Sequence, residues 1–187
     1  MQQAQAVPVL QLVGPGGAGK TTVGSELALQ LGWQFVDLDR EFMSREGDIS
    51  GYMAAHGYVG YARRNLALHV QLRGAFTAPT VHALSSGFMT YPADMDASYA
   101  SIRAAVEFDA LTLVLLPSFE METCVEAIVR RQLSRPYLPG NAASEEARIR
   151  QRFPVFMALR CARFLNDGAP EEAAMRIASF VHERVDN

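Results

Sequence analysis

Residues 14–21 read Gly-Pro-Gly-Gly-Ala-Gly-Lys-Thr, a glycine-rich run that ends in Lys-Thr. The run follows the apolar stretch from Val7 to Val13 and precedes Thr22 to Leu31, where apolar residues fall on one helical face. Strand, glycine-rich loop and helix therefore occur in the order of a phosphate-binding loop, in which backbone N–H groups cradle phosphate oxygens and the helix N-terminus faces the anion. A chance glycine-rich turn is the alternative interpretation.

The chemistry of this loop gives two of its side chains distinct tasks. We expect Lys20 to reach the β- and γ-phosphates of a nucleotide and the Thr21 hydroxyl to bind Mg²⁺. The predicted nucleotide-binding residues of the loop are Gly14, Gly16, Gly17, Ala18, Gly19, Lys20, Thr21 and Thr22.

Length and composition limit the number of domains and the classes of binding partner that the chain can have. A chain of 187 residues with 49% hydrophobic residues predicts one domain over residues 1–187 with a sizeable core. The net charge of -3 leaves no basic stripe for a nucleic acid. The apolar runs are too short to span a membrane, and residues 1–6 carry no basic residue of the kind that opens a signal peptide. We expect a cytoplasmic protein, a monomer, that binds neither nucleic acid nor membrane.

Short apolar runs alternate with helical stretches along the chain. The predicted strands are Val7 to Val13, Trp33 to Val36, Thr80 to Leu84, Leu111 to Leu116 and Cys161 to Leu165. The predicted helices are Thr22 to Leu31, Val59 to Phe76 with short helices before it from Arg40, Asp96 to Val106, Glu120 to Gln132, Ser144 to Leu159 and Pro170 to Val185. This βαβ series predicts an α/β fold whose sheet is mostly parallel and has helices on both faces.

Two acids follow the second predicted strand. Asp37 and Asp39 are the only acids at the carboxyl end of a predicted strand, which is where open α/β sheets bind ligands. In an extended chain their side chains project the same way, so one acid could lie near Mg²⁺ and the other against an acceptor hydroxyl. The alternative is that Asp39 caps the following helix while Asp37 is solvated.

The segment Ser134 to Ala143 interrupts the regular alternation. It holds two prolines, a glycine and Arg135 between two predicted helices. Such a segment is either an ordinary surface connection or a lid over a ligand, and its pairing with a phosphate loop favours a lid over about residues 133–146.

The order and spacing of several segments resemble those of the shikimate kinases. They are the phosphate loop, Phe35 to Asp39, Ile49 to Arg64 with its His56-Gly57, Arg135-Pro136-Tyr137-Leu138, and Gln151-Arg152-Phe153-Pro154-Val155-Phe156. The resemblance implies a P-loop fold of three layers, a five-stranded parallel sheet, an acceptor-binding region at about residues 39–76 and a closing lid. It implies ATP and Mg²⁺ as cofactors and a small-molecule hydroxyl as acceptor.

The same resemblance implies roles for individual residues. It makes Asp39 the partner of the acceptor hydroxyl, Asp37 the acid that supports Mg²⁺, and Arg135 the lid arginine that meets the transferring phosphate. Together with Lys20, Asp39 and Arg135 form the implied catalytic set. Arg152 would bind the acceptor carboxylate, as a planar guanidinium does well. Arg131 or its neighbour Arg130, together with Pro170, would line the adenine pocket. For Arg135 and Arg152 the alternative is a surface ion pair or a stem packed on a helix.

The departures from the family pattern lie on the acceptor side. The carboxylate-binding arginine of the family aligns with Ala62, so Arg63, one residue later on a helix, is the candidate to replace it. The family's acid that steadies that arginine aligns with Asn65. A Gly-Gly-Gly run after the third strand is replaced by Ser85-Ser86-Gly87, of which Gly87 stays a predicted acceptor contact.

Three hypotheses about function follow. The first is a kinase that transfers the ATP γ-phosphate to a hydroxyl of shikimate or a related carboxylated polyol. The second keeps the reaction and changes the acceptor to another small metabolite. The third is an ATP-binding or ligand-sensing module without catalysis.

Overall fold

The computed structural model of the chain describes residues 7–133 and 142–185. The strands are β1 (Val9–Val13), β2 (Gln34–Asp37), β3 (Thr80–Ala83), β4 (Thr112–Leu116) and β5 (Ala162–Leu165). The helices are α1 (Lys20–Leu31), α2 (Leu38–Glu46), α3 (Ile49–Ala75), α4 (Tyr99–Phe108), α5 (Met121–Leu133), α6 (Ala142–Ala158) and α7 (Pro170–Val185), with a 3-10 turn at Phe88–Thr90.

The five strands form one parallel sheet in the order β2-β3-β1-β4-β5. Every residue of β1 and of β4 is buried, as the continuous apolar runs predict for central strands that are covered on both faces. In register, Leu12 of β1 lies opposite Ala83 of β3 and Leu113 of β4. The predicted five-stranded parallel α/β fold is confirmed.

Helices cover both faces of the sheet and give it two separate apolar layers. On one face α1 and α7 pack against each other and against β1, with Leu27 and Ile177 fully buried between them. On the other face α2 to α6 form the larger layer, in which Phe42, Phe88 and Phe156 are buried. This is the predicted three-layer arrangement, and it leaves the carboxyl ends of the strands along one edge. Within residues 7–133 and 142–185, no helix is both long and apolar enough to cross a bilayer.

The region between β2 and β3 contains the predicted long helix with short helical segments before it. The short segment before Gly57 begins at Ile49, where the Asp48 carboxylate accepts a hydrogen bond from the Gly51 N–H at 2.7 Å and caps the first turn of α3. The helix then bends at Gly57, whose φ of 72° is not helical. The bend separates a short first arm from the long second arm that packs under the sheet.

Two histidines, His69 on α3 and His82 on β3, are stacked in the larger apolar layer. Their ring centroids lie 5.3 Å apart with an interplanar angle of 10°, and both rings are almost completely buried. Burial, with the charge of Arg73 adding to it, lowers the pKa of His69 to about 4. Burial also lowers the pKa of His82 well below its ordinary value, and the neighbouring His69 and Arg73 act in the same direction. Both histidines are therefore neutral in the folded protein at neutral pH.

The histidine pair predicts an acid-labile fold. Below pH 6.5 the unfolded chain binds protons that the folded chain cannot. The free energy of unfolding therefore decreases as the pH is lowered, and for His69 this decrease continues to about pH 4. Between pH 7 and pH 5 each buried histidine is expected to cost about 2 kcal/mol of unfolding free energy. Urea unfolding of His82→Leu should show a smaller loss over this interval than the parent protein. The exposed His182 supplies the control, His182→Gln, which should follow the parent. Equal losses in His82→Leu and the parent would contradict the prediction.

Candidate active site

The glycine-rich loop, residues 14–19, connects the end of β1 to the first turn of α1, as the motif predicts. Its last glycine, Gly19, is the N-cap of α1 with φ 95°, a left-handed conformation that L side chains rarely adopt. A Cβ at this position would lie 2.2 Å from the amide nitrogen of Asn166, which follows β5. The glycine is therefore required both by backbone conformation and by space, and Thr21 and Thr22 follow Lys20 in the first turn of α1, whose N-terminus faces the loop.

Lys20 folds back onto the loop. Its Nζ donates hydrogen bonds to the carbonyl oxygens of Gly14 at 2.7 Å and Pro15 at 3.0 Å. The ammonium thus lies at the mouth of the loop, where a phosphate would meet positive charge, backbone N–H groups and the helix dipole together.

Thr21 connects the loop to the second strand. Its hydroxyl donates to Asp37 Oδ2 at 2.6 Å, and Asp37 Oδ1 accepts from the backbone N–H groups of Asp39 at 3.0 Å and Arg40 at 3.2 Å. Asp37 is therefore the buried N-cap of α2. A hydroxyl and a carboxylate oxygen side by side are a donor set that suits Mg²⁺.

The two acids are not arranged as the sequence suggests. Asp37 ends β2 but Asp39 already belongs to the first turn of α2, so the pair does not project from one extended strand. The alternative, in which Asp39 caps the helix and Asp37 is solvated, is also wrong, because Asp37 is the capping residue and is only 8% exposed. The helix begins two residues earlier than that alternative requires, since Asp37 accepts two N–H groups of the first turn.

Asp39 is partly buried beside the loop. Its Oδ1 accepts hydrogen bonds from the Ser85 hydroxyl at 2.5 Å and from the Tyr61 hydroxyl at 3.4 Å. Burial raises the pKa of the Asp39 carboxyl, and the negative charge of Asp37 adds to this effect. The Ser85 hydrogen bond, the charge of Lys20 and the Tyr61 hydroxyl lower the same pKa, but burial dominates. A carboxylate whose proton affinity is raised in this way is suited to accept a proton.

A cleft of about 450 Å³ is separated from Asp39 by Tyr61, whose ring centroid lies 6.2 Å from that of Tyr58 and 6.3 Å from that of Tyr91 in the cleft lining. Its lining includes Tyr58, Tyr91 and Arg152, and an Arg152 Nη donates to the Tyr58 hydroxyl at 3.3 Å. Gly87 packs against the same side chains, because a Cβ there would lie 2.9 Å from the Tyr58 hydroxyl and 3.0 Å from a ring carbon of Tyr91. The structure thus brings Gly87 and Arg152 together at one cleft, although they are far apart in the chain.

Arg63 takes a different direction. Its Nε donates to the carbonyl oxygen of Met95, in the segment before α4, and the residue is exposed. Ala62 is fully buried and Arg64 forms an ion pair with Glu46. Among the described residues, Arg63 is not part of the cleft lining and makes no hydrogen bond with Asp39, so the structure does not bring it to the site.

The other side of the loop contains Arg131 and the segment that follows β5. The Arg131 guanidinium donates to the carbonyl oxygens of Gly17 at 3.3 Å and Asn166 at 2.8 Å. Asn166 in turn donates its side-chain N–H to the Ala18 carbonyl oxygen at 2.9 Å. Pro170 is the first residue of α7, a short distance further along the same segment. Arg135 and most of the predicted lid lie outside the described residues.

Several residues of this site carry no motif in the sequence. Asn65, Tyr91 and Asn166 are buried polar residues whose partners are distant in the chain. Ser85 appears in the sequence only as a departure from a glycine run. The one signal that could have found Ser85 and Asn166 is their position just after strands, at the edge of the sheet where ligands bind.

Comparison with known proteins agrees with this arrangement. The family profile described as "Shikimate kinase" matches residues 16–182. The shikimate kinase of Thermobifida fusca is 32% identical over 178 residues, which cover 91% of this chain and 93% of that protein. The enzyme of Acinetobacter baylyi is 35% identical over 108 residues, and that of Halorhodospira halophila is 41% identical over 86. In these two alignments the chain spans only 58% and 48% of the relative, about half its length.

Among solved structures, the fold is shared with a shikimate kinase from Acinetobacter baumannii in complex with shikimate. The TM-score is 0.73 at 24% identity, and the superposition covers 98% of this chain and 97% of that one. A gluconokinase from Sinorhizobium meliloti shares the fold more distantly, with a TM-score of 0.55 at 16% identity over 98% of each chain. The match to the family profile over most of the sequence decides the assignment: the chain belongs to the shikimate kinase family.

Proposed function

We propose that this protein transfers the γ-phosphate of ATP to a hydroxyl of shikimate or a related carboxylated polyol. The observation that carries the proposal is the chain of contacts from the phosphate loop through Thr21 and Asp37 to Asp39, whose hydrogen-bond partner Tyr61 packs against two tyrosines of a cleft that holds an arginine. A phosphate donor on the loop and an acceptor in the cleft would meet at Asp39.

The nucleotide would bind along the loop. Backbone N–H groups of the glycines and Ala18 in the loop and the Lys20 ammonium would hold the phosphates, since both already lie at the N-terminus of α1. Arg131 and Pro170 would lie on the side of the nucleobase, where Arg131 is anchored to Gly17 and Asn166. Arg135, in the predicted lid, would add positive charge to the transferring phosphate.

Mg²⁺ would be supported by Thr21 and Asp37, whose oxygens lie 2.6 Å apart and are the hard donors that this ion prefers. When bound, the ion would neutralise charge on the phosphates of the nucleotide.

In the transfer itself, Asp39 would act as the base. The acceptor oxygen forms a bond to the γ-phosphorus while the bond between that phosphorus and the β-phosphate oxygen breaks, with ADP as the leaving group. The hydroxyl proton passes to the Asp39 carboxylate, whose raised pKa favours its acceptance. Arg152 would hold the acceptor carboxylate, and its Tyr58 contact would fix the direction of the guanidinium. Gly87 would be a further acceptor contact, and its missing Cβ leaves room for the Tyr58 hydroxyl and the Tyr91 ring beside Arg152.

A matched pair of glycine variants tests the nucleotide site. Gly19 and Gly32 both have positive φ, but a Cβ at Gly32 would meet nothing within 4 Å. Each change to alanine should cost about 1 kcal/mol of stability because of the backbone conformation, and Gly19→Ala should cost more, because its Cβ would also meet the Asn166 amide. Only Gly19→Ala should weaken ATP binding, by about tenfold or more, as measured by calorimetric titration. Equal ATP affinity in the two variants would argue against binding at this loop.

Replacing the proposed base should affect turnover alone. Asp39→Asn is expected to lower kcat by about 10²- to 10⁴-fold while the affinity for ATP stays near that of the parent. The measurement is a coupled ADP-release assay, with Glu41→Gln on the same helix as the control that should keep full turnover. Near-normal kcat in Asp39→Asn would remove Asp39 from the role of base.

The acceptor role of Arg152 is tested against an arginine on the same helix. Arg152→Ala should raise the KM for shikimate by about 10- to 100-fold, the cost of losing a charge-assisted hydrogen bond. Arg148, exposed and paired with Glu145, supplies the control Arg148→Ala, which should leave this KM unchanged. A similar KM in both variants would place the acceptor elsewhere.

ADP-release assays of the parent protein test which acceptor is the substrate. Release of ADP that depends on shikimate would support the proposal. Lack of such turnover at millimolar shikimate would overturn it, and turnover with another acceptor from a metabolite panel would favour a different substrate. Nucleotide-induced thermal stabilisation without turnover for any acceptor would favour a binding module.

A further inference from the structure

The two oxygens of the Asp39 carboxylate have different surroundings. Oδ1 accepts both of the hydrogen bonds described above, from the hydroxyls of Ser85 and Tyr61. Oδ2 accepts no hydrogen bond from any residue in the described part of the chain. One oxygen is therefore held by the protein while the other is left for a ligand.

Behind Ser85 the contacts continue into the core. Asn65 Nδ2 donates to Ser85 Oγ at 2.9 Å, and the Tyr91 hydroxyl donates to Asn65 Oδ1 at 2.9 Å. The Tyr91 backbone N–H donates to the Tyr99 hydroxyl at 3.1 Å, and this hydroxyl donates to the Phe88 carbonyl oxygen at 2.7 Å. We call the row Tyr91, Asn65 and Ser85 the inner chain.

The chemistry of the groups fixes the direction of the inner chain. An ionised carboxylate only accepts, so the single Ser85 proton must point to Asp39. Ser85 Oγ must then accept from Asn65, which turns the amide nitrogen of Asn65 to Ser85 and its oxygen to Tyr91. The Tyr91 hydroxyl consequently donates. Every donor along the inner chain then points towards Asp39.

Burial makes this chain rigid. Ser85 is 3% exposed, Tyr91 is 5% exposed and Asn65 is fully buried, so little water competes for their hydrogen bonds. The three residues come from separate parts of the fold: Ser85 follows β3, Asn65 lies on α3 and Tyr91 follows the 3-10 turn. Ala62, one helical turn from Asn65 and fully buried, brings no polar group to this place. The inner chain and Tyr61 are thus what holds the carboxylate of α2.

We infer that Ser85, backed by Asn65 and Tyr91, is a positioning residue that fixes the Asp39 carboxylate through Oδ1 so that Oδ2 receives the proton of the acceptor hydroxyl. The inference rests on the proposed role of Asp39 as the base. It explains what Ser85 contributes in place of the glycine of the family pattern, because a glycine at position 85 would have no hydroxyl to reach Asp39 or Asn65.

Kinetics of a serine series test the inference. Ser85→Ala should lower kcat by about 10- to 100-fold, the cost of a poorly oriented reacting group, while the KM for the acceptor and the affinity for ATP change less than about twofold. Ser85→Thr, which restores the hydroxyl, should recover most of kcat. Tyr91→Phe removes the outermost donor and leaves Ser85 in place, so a smaller loss of kcat is expected. Ser101→Ala, which deletes an exposed hydroxyl on α4, is the control and should match the parent.

These variants separate positioning from a purely structural role. Loss of a buried hydrogen bond alone would lower the melting temperature without a selective effect on kcat. The inference is overturned if Ser85→Ala keeps kcat within twofold of the parent, if its KM rises in proportion to its loss of kcat, or if a folded Ser85→Thr that binds ATP normally stays as slow as Ser85→Ala. If Ser85→Ala fails to fold, Tyr91→Phe decides, and an unchanged kcat in that variant overturns the inference.

A crystallographic comparison does not depend on the acceptor. In the parent protein Asp39 should occupy one side-chain conformer, whereas in Ser85→Ala it should occupy more than one. A single unchanged conformer in Ser85→Ala would overturn the inference even if no acceptor is turned over. Absence of turnover in the parent would instead count against the proposed function, and the crystallographic result would still decide the role of Ser85.

Discussion

The hydrogen bond between Thr21 and Asp37 is the contact on which the rest of the site depends. It joins the first turn of α1 to the end of β2, and the other oxygen of Asp37 starts α2 by accepting two backbone N–H groups. One buried carboxylate thereby fixes the phosphate loop, the edge strand and the helix that carries Asp39. A buried carboxylate is tolerated here because hydroxyl and backbone donors satisfy both of its oxygens.

The two apolar layers then determine which parts of the site are fixed to each other. The layer of α1 and α7 holds the phosphate loop against Asn166, while the layer of α2 to α6 holds Tyr61, Ser85 and Tyr91 around Asp39. The carboxyl ends of the strands lie between these two halves of the site, the phosphate loop on one side and Asp39 with its partners on the other. The site is therefore built where two independently packed layers meet at the carboxyl ends of parallel strands, and neither layer contains it alone.

The sequence predicted those parts of the molecule that depend on local pattern. Continuous apolar runs located all five strands to within a few residues, and the loop motif located the start of α1, because both signals lie in neighbouring residues. The helix predicted over Asp96 to Val106 starts at Tyr99 in the structure, because the Asp96 carboxylate accepts a hydrogen bond from the Ser98 N–H and forms a turn there. The contacts among Asp39, Ser85, Asn65 and Tyr91 were not predictable in this way. They join residues 20 to 46 positions apart and depend on how the helices pack rather than on any spacing.

The position of Lys20 has a consequence for the energetics of ligand entry. Its ammonium is already coordinated by two carbonyl dipoles of the same loop, and so part of its hydration shell has been exchanged for protein in advance. An incoming polyanion would therefore replace dipoles rather than bulk water around this cation. The free energy released would be the difference between charge–charge and charge–dipole attraction, so it would be smaller than that of a fully desolvated ion pair. The loop would need little reorganisation to bind the anion.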